Sequence, residues 1–191
     1  MHIELTDHLR CPEPHEEAFL VLLPERMDAR RVQAGHLGCP MCGWSTAWSD
    51  GVPAFGAGWR STATFPCDAE SAVALLGLSG PGGWLALAGS AGALAHRLTE
   101  LLEGVQVVAI NPPETVRPAA TVSVLMSDVW PVKAHAMRGV VIGVDAAAWR
   151  DQAVRSVLPG LRAVGAGPAP SDGPGVEPLA SADGLWVVRR R

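Results

Sequence analysis

The stretch that decides the fold is residues 84–110, WLALAGSAGALAHRLTELLEGVQVVAI. Residues 84–88 are a continuous apolar run, which is typical of a buried parallel strand. Residues 93–103 have a helical period, and their apolar face is formed by Leu94, Leu98, Leu101 and Leu102. Residues 105–110 form a second apolar run. A strand, a helix and a second strand in this order predict a parallel pair joined by a helical crossover.

The same alternation continues on both sides of this unit. A helix is predicted from Asp68, which can cap it, to Leu76, with Gly77 at its end. Further strands are predicted at 121–126, 139–144, 161–164 and 185–188. One further helix is predicted at 146–158. Residues 165–183 are rich in Gly, Pro, Ser and Ala, and predict an irregular surface loop. Residues 59–191 are therefore expected to form an α/β domain with a mainly parallel sheet and flanking helices.

Residues 1–58 have a different pattern. After a short polar lead-in at 1–10, short apolar runs at 19–23 and 32–37 are separated by turns, and Pro24 is expected to end the first. Residues 44–55 alternate loosely. We expect a small β-rich unit here, with its boundary at the glycines around residue 58.

Three cysteines and a nearby histidine indicate a metal site in this unit. Cys39 and Cys42 form a Cys-x-x-Cys knuckle, and three residues separate Cys11 from His15. Zinc takes four such ligands in a tetrahedron, and four protein ligands leave no open position, so the predicted Zn²⁺ is structural. Other residues remain open as the fourth ligand: His36, Glu13 and Cys67. Buried free thiols are an alternative. A redox knuckle is disfavoured because no strand-to-helix context surrounds it.

Composition and charge restrict the function classes. The chain has 191 residues, a net charge of −4 and 48% hydrophobic residues, which is a globular composition without a broad electrostatic surface for nucleic acid. Residues 1–4 lack the features of a signal peptide, so a cytoplasmic location is expected. Residues 71–95 carry no charge, but glycines and Pro81 interrupt them, and no transmembrane segment is predicted.

Residues 5–55 resemble a known family. Leu-Arg-Cys-Pro at 9–12, Gly-His-Leu-Gly-Cys-Pro-Met-Cys-Gly at 35–43 and Asp-Gly-Val-Pro at 50–53 are similar to the short bacterial zinc-ribbon proteins. These are related to the small zinc-binding activator subunit of eukaryotic tRNA and protein methyltransferases. Bacterial members commonly carry a cysteine at the third position after the first cysteine, where this chain has Pro14 and then His15. The resemblance implies a zinc ribbon with a protein partner.

Residues 69–191 are similar to class I S-adenosylmethionine-dependent methyltransferases. The resemblance is carried by residues 74–89, 127–131 and 157–164. It implies cofactor contacts at four positions of this chain: Gly89, Gly92, Asn111 and Asp128. However, Ala86 replaces the family's acidic residue, and Ala88 and Ser90 replace two of its glycines. Asn111 stands where an acid would accept both ribose hydroxyls.

These departures favour a domain that has lost cofactor binding, because side chains at the glycine positions crowd the ligand and lost acceptors leave its hydroxyls unpaired. No catalytic set is predicted. The expected protein is a zinc-binding interaction or assembly subunit with a degenerate methyltransferase-like domain. The alternative is an active S-adenosylmethionine-dependent methyltransferase acting on RNA or protein.

Overall fold

The computed structural model describes residues 1–170 and 175–191. A three-stranded antiparallel sheet is formed by β1 (Val21–Asp28), β2 (Arg31–Gly38) and β3 (Ser45–Trp48), in that spatial order. The strands of a larger, eight-stranded sheet are β4 (Ala54–Phe55), β5 (Trp84–Ala88), β6 (Gln106–Ile110), β7 (Val122–Ser127), β8 (Met137–Ile142), β9 (Val157–Ala166), β10 (Val176–Ala182) and β11 (Leu185–Arg190).

The large sheet is mostly parallel and Rossmann-like. Its spatial order is β10-β11-β9-β8-β5-β6-β7-β4, and only β11, between β9 and β10, runs antiparallel to its neighbours. The chain winds from β5 outward through β6 to β7, then returns to the other side of β5 as β8. The winding direction therefore reverses between β5 and β8, and ligands of such sheets bind at the carboxyl ends of the strands beside that reversal.

The helices are short. They are α1 (Ala69–Leu76), α2 (Ala95–Leu101) and α3 (Arg150–Ser156), with 3₁₀ helices at Ile3–His8, Gly89–Leu94 and Val144–Trp149. The predicted ends of α1 are confirmed: Asp68 Oδ1 accepts the Ser71 N–H at 2.8 Å, and Gly77 closes the helix in the left-handed conformation. No helix in the described residues is long and apolar enough to cross a membrane.

Two hydrophobic cores lie on opposite faces of the large sheet. Alternate residues of β5 divide between them: Leu85 and Leu87 pack with α1 and α2, whereas Ala86 and Ala88 face the other core. That second core contains α3 together with the N-terminal segment and β1–β3, through residues such as Leu5, Leu9, Leu20, Leu37 and Trp48. The apolar stretch around β5 is therefore covered on both faces.

The first sixty residues cover a part of the large sheet over which the short connections between β6, β7 and β8 place no helix. In the described chain, no helix joins β6 to β7 or β7 to β8. The residues that pack over this part of the sheet come from the first sixty instead, and β4 extends the large sheet by pairing in parallel with β7. The division into residues 1–58 and 59–191 stays a prediction, and these contacts describe one continuous core across it.

Four local predictions are wrong. Residues 1–10, predicted as a polar lead-in, pack into the core instead: Met1, Leu5 and Leu9 are buried, and the His2 N–H donates to Ser123 Oγ at 2.9 Å. β1 continues past Pro24, and it is an edge strand, where proline is tolerated.

The other two corrections concern the C-terminal half. The helix predicted at 146–158 is split into a 3₁₀ turn and α3, and residues 157–158 already belong to β9. The loop predicted at 165–183 contains β10, which pairs with β11; residues 171–174 of that prediction lie outside the described residues.

Candidate metal centre and the carboxyl edge of the sheet

Cys11, His15, Cys39 and Cys42 meet in one cluster. Their ligand atoms all lie within 4.8 Å of one another. Cys11 Sγ is 3.6 Å from Cys42 Sγ, and Cys39 Sγ is 3.4 Å from His15 Nε2. With Zn–S near 2.3 Å and Zn–N near 2.0 Å, a tetrahedral zinc places two sulfurs roughly 3.8 Å apart and a sulfur and nitrogen roughly 3.5 Å apart. The cluster therefore has donor atoms and spacings that can hold a metal ion.

Backbone hydrogen bonds hold the two halves of the cluster. The knuckle closes when the Gly43 N–H donates to the Cys39 carbonyl at 3.0 Å, with Gly43 in the left-handed region (φ 75°). The Cys39 N–H donates to the Trp44 carbonyl at 2.8 Å. On the other side, the Arg10 N–H donates to the Pro131 carbonyl at 2.9 Å, which ties the residue before Cys11 to the segment that follows β7.

The histidine of the cluster is oriented by its own chain. His15 Nδ1 lies 2.7 Å from the Glu16 carbonyl, so a proton on Nδ1 leaves Nε2 free to bind a metal. Of the residues left open as alternatives, Glu13 lines the same cavity as His15 and Cys42, and the other two lie elsewhere. His36 pairs with Glu25 at 2.7 Å, and Cys67 lies beside the start of α1. Of the histidines, it is His15 that the fold brings to the three cysteines.

The two buried thiols of the cluster differ in their pKa values. Burial raises the pKa of Cys11 to about 12. Burial also acts to raise the pKa of Cys39, but the backbone N–H groups of Cys42 and Met41 outweigh it and lower that pKa to about 7. Metal ligands must be deprotonated, so the lowered pKa favours Cys39 as a ligand.

The second predicted group lies at the carboxyl edge, meaning the residues that directly follow β5, β6, β7 and β8. Asn111 follows β6, is fully buried, and adopts a left-handed conformation (φ 50°). Its side-chain amide donates to the Ser127 carbonyl at 2.7 Å and accepts the Ser127 N–H at 2.9 Å. The amide of Asn111 is therefore used to join the ends of β6 and β7.

Asp128, which follows β7, is used by another segment of the chain. Its carboxylate accepts the Ala57 N–H at 2.7 Å and the Gly58 N–H at 2.8 Å. These donors belong to residues 55–61, which we call the strap. It leaves β4 and crosses the carboxyl edge. At Gly58 (φ 62°) a Cβ atom would lie 2.8 Å from Asn111 Oδ1 and from the Ser127 nitrogen, so the backbone passes in close contact.

The two glycines of the predicted cofactor loop also contact their own chain. A Cβ atom at Gly89 would lie 2.5 Å from Asp145 Oδ1, and one at Gly92 would lie 2.5 Å from the Pro112 Cβ. Asp145 Oδ1 also accepts the Ser90 N–H at 3.0 Å. Burial acts to raise the pKa of Asp145, but the Ser90 N–H and the Ser61 hydroxyl hold it below its ordinary value. The space beside Gly89 is thus filled by Asp145, which follows β8, and the space beside Gly92 by Pro112, which lies between β6 and β7.

Sequence reasoning missed the strap and its partners. Trp59 packs against Trp149 with ring centroids 4.8 Å apart, and Ser61 is buried near Asp145. The strap thus runs from the end of β7 to the end of β8. The sequence feature that marks the strap is Gly-Ala-Gly at 56–58, which by itself predicts only a boundary between two units.

No protein-family model matches the chain, and no curated protein matches it. Solved structures with a related fold include a complex between the Haloferax volcanii Trm112 methyltransferase activator and a methyltransferase (16% identity, TM-score 0.40, 51% of this chain and 50% of that one). This chain thus spans half the length of that one.

Two further structures cover more of the chain. The antibiotic-resistance methyltransferase Kmr is 12% identical, with a TM-score of 0.43 over 70% of this chain and 98% of its own. The tRNA (m1A58) methyltransferase TrmI from Aquifex aeolicus is 14% identical, with a TM-score of 0.45 over 70% and 73%. Likenesses this distant say nothing about activity, substrate or partner.

Proposed function

We propose that this protein is a non-catalytic, zinc-binding assembly subunit, built from a zinc ribbon and a methyltransferase-like domain that does not bind S-adenosylmethionine. The observation that carries the proposal is the strap. Its backbone N–H groups at Ala57 and Gly58 already occupy the carboxylate of Asp128, the one residue that best matches a cofactor ligand. Each carboxylate oxygen is thus engaged by the chain itself, and a ligand would have to compete with the strap for Asp128.

The residues at the carboxyl edge do not fit the cofactor. Asn111 has both ends of its amide bonded to Ser127, so a ribose hydroxyl would have to share the Oδ1 acceptor with a buried hydrogen bond. The glycine positions at Gly89 and Gly92 have Asp145 and Pro112 against them. Binding would therefore require the strap to leave and several buried contacts to break at once.

The metal centre does fit zinc, with Cys11, His15, Cys39 and Cys42 as ligands. When bound, the ion supplies a cross-link between two distant parts of the chain and no open coordination position. The ribbon that it fixes forms one side of the hydrophobic core over the large sheet. We infer that the metal stabilises the packing of the ribbon against the large sheet. This is a structural role suited to a subunit that other proteins bind.

The test is a calorimetric titration of the zinc-loaded full-length protein with S-adenosylmethionine and S-adenosylhomocysteine, up to about 1 mM ligand. We expect no saturable heat. Cooperative thermal unfolding of the same sample establishes that the protein is folded. Saturable binding in the micromolar range would contradict the proposal.

The alternative function is methyl transfer to RNA or protein. One observation favours it: Asn111 and Asp128 do lie at the carboxyl ends of adjacent parallel strands, where ligands of such sheets bind. If the titration shows binding, Asp128→Ala should weaken it by roughly tenfold or more, because a charged acceptor is lost. Binding that Asp128→Ala leaves unchanged would exclude this site.

A further inference from the structure

The metal cluster has one thiol that is open to solvent and two that are not. Cys42 is exposed, whereas Cys11 and Cys39 are only 2% and 3% exposed. A cavity of about 520 Å³ opens beside the cluster, and it is lined by Glu13, Pro14, His15, Cys42, Gly43 and Trp44. Of the three thiols of the cluster, Cys42 is therefore the one that a small molecule in this cavity meets.

The exposed thiol has the chemistry that peroxides attack. A cysteine that binds zinc is a thiolate, which is the nucleophilic form of the side chain. Peroxides convert an exposed thiolate into a sulfenic acid, and a second cysteine beside it resolves the sulfenic acid into a disulfide. In the zinc-loaded centre, Cys42 is both a thiolate and exposed, so it meets the conditions for the first reaction.

Cys11 is placed to act as the second cysteine. Its Sγ atom lies 3.6 Å from Cys42 Sγ, and an S–S bond of about 2.05 Å requires the two atoms to approach by roughly 1.5 Å. The tip of the knuckle has room for this movement, because Met41 is 68% exposed and a Cβ atom at Gly43 would meet nothing within 4 Å. The exposed thiol can therefore reach the buried one.

The other cysteine of the knuckle is held differently. Cys39 Sγ lies 3.4 Å from His15 Nε2, and the N–H and carbonyl of Cys39 are both used in the backbone hydrogen bonds that close the knuckle. Burial also shields this thiol from solvent. The reactive pair therefore spans the two halves of the cluster and is not the Cys-x-x-Cys pair of a redox knuckle.

We propose that Cys42 is a site of reversible oxidation by hydrogen peroxide, that Cys11 is its resolving cysteine, and that the disulfide between them releases the zinc. The inference deepens the proposed function and rests on it, because it concerns the regulation of the proposed zinc centre. It makes the metal content of the ribbon depend on the concentration of peroxide.

The reaction has two steps. The Cys42 thiolate attacks one oxygen of hydrogen peroxide, so that an S–O bond forms, the O–O bond breaks and hydroxide leaves. The Cys11 thiolate then attacks the Cys42 sulfur, so that an S–S bond forms, the S–O bond breaks and a second hydroxide leaves. The two sulfurs lose two electrons, and hydrogen peroxide gains them. Cys39 and His15 remain as ligands, and two ligands are too few for a structural zinc site.

The experiment uses the full-length protein loaded with one zinc ion per chain. Hydrogen peroxide at about 0.5 mM, in roughly tenfold excess over the protein, should release the ion to a chromophoric zinc chelator. Mass spectrometry of the non-reduced protein should then identify a disulfide between Cys11 and Cys42. Early in the reaction, the sulfenic-acid reagent dimedone should label Cys42. A thiol reductant followed by zinc should restore the loaded protein.

Variants separate the roles of the two cysteines. Cys42→His replaces the exposed thiolate by a zinc ligand that lacks sulfur, and zinc release should slow by roughly tenfold or more. Cys11→His removes the resolving thiol, so labelling of Cys42 by dimedone should increase. The matched control is Cys67→Ser, which removes a thiol outside the cluster and should leave the rate of zinc release unchanged.

The outcomes separate this inference from the proposed function. A zinc-loaded protein that keeps its ion in peroxide overturns the inference and leaves the zinc centre intact. A disulfide between Cys39 and Cys42, or first labelling at Cys39, also overturns it. A protein that binds no zinc contradicts the proposed function itself. If the histidine variants take up no zinc, the disulfide found in the original protein decides the question.

Discussion

The metal cluster and the carboxyl edge both gather polar side chains from distant parts of the sequence, but the two regions use them differently. In the cluster, Cys11 Sγ and Cys42 Sγ approach to 3.6 Å and point to a common centre with few other partners. At the edge, the Asp128 carboxylate already accepts two N–H groups of the strap. One region holds donor atoms ready for a ligand, and the other has its acceptors bonded within the chain.

This difference shows what residue identity alone does not reveal. Asn111 and Asp128 are polar residues at the ends of parallel strands, as a ligand-binding edge requires. Whether they can bind anything depends on the strap, which reaches them from the other half of the chain. The metal cluster depends on two short motifs whose local spacing is already close to what a metal needs.

The largest expected effect concerns the metal. Cys39→Ser removes the thiol with the lowered pKa, so zinc content measured by mass spectrometry should fall from one ion per chain to near zero. The free energy of unfolding should fall by about 5 kcal/mol or more, since metal binding contributes directly to folding. Cys67→Ser is the control, because Cys67 lies outside the cluster. Equal zinc in both variants would refute the ligand assignment.

The close passage of the strap predicts the next effect. Gly58→Ala forces a left-handed conformation on alanine and places its Cβ against Asn111 and the backbone of Ser127. We expect a loss of about 3 kcal/mol in urea unfolding. Gly80→Ala has the same sign of φ in open space and should cost only about 1 kcal/mol. Similar losses for the two variants would mean that the strap is not held against the edge.

Asp128→Ala tests the hydrogen bonds of the strap. The carboxylate is exposed, so its removal should cost only about 1 kcal/mol. The amide protons of Ala57 and Gly58 should then exchange with solvent faster, which hydrogen exchange followed by NMR can measure. Asp128→Asn keeps one acceptor oxygen and should give an intermediate exchange rate. Unchanged protection in Asp128→Ala would show that other contacts hold the strap.

The smallest expected effect is a dependence on pH in the N-terminal segment, which lies outside both regions. Burial lowers the pKa of His8, whose ring packs on Trp84. Below about pH 6.5 the unfolded chain binds this proton more readily than the folded chain, so stability decreases as the pH falls towards the lowered pKa. The contribution should be less than about 1 kcal/mol.

His8→Gln isolates this contribution. Zinc release in acid affects the variant and the original protein alike, so the difference between their unfolding free energies at about pH 7.5 and pH 5 reports His8. We expect a shallower decrease for the variant. A steeper decrease would mean that the charged form of His8 is favoured in the folded protein, contrary to its lowered pKa.

The parts of the structure that are predictable are local in sequence. β5 is predicted to the residue, and so is α1 with its capping Asp68 and closing Gly77, because apolar runs, caps and glycines act through near neighbours. The four residues of the metal cluster are predicted from two short spacings. β10 is missed because the Gly, Pro and Ser content of residues 165–183 is typical of a loop, and its pairing partner β11 decides its conformation.

The sequence by itself determined the α/β class, the caps of α1 and the four residues that meet in the candidate metal cluster, since each of these depends on spacings of a few residues. Only the tertiary structure decided that the N-terminal segment is buried and that the strap bonds to Asp128. Those contacts join residues far apart in the chain, 121 positions between His2 and Ser123 and 71 between Ala57 and Asp128. No local pattern encodes such a pairing, because its free energy comes from two surfaces that meet only when the chain has folded.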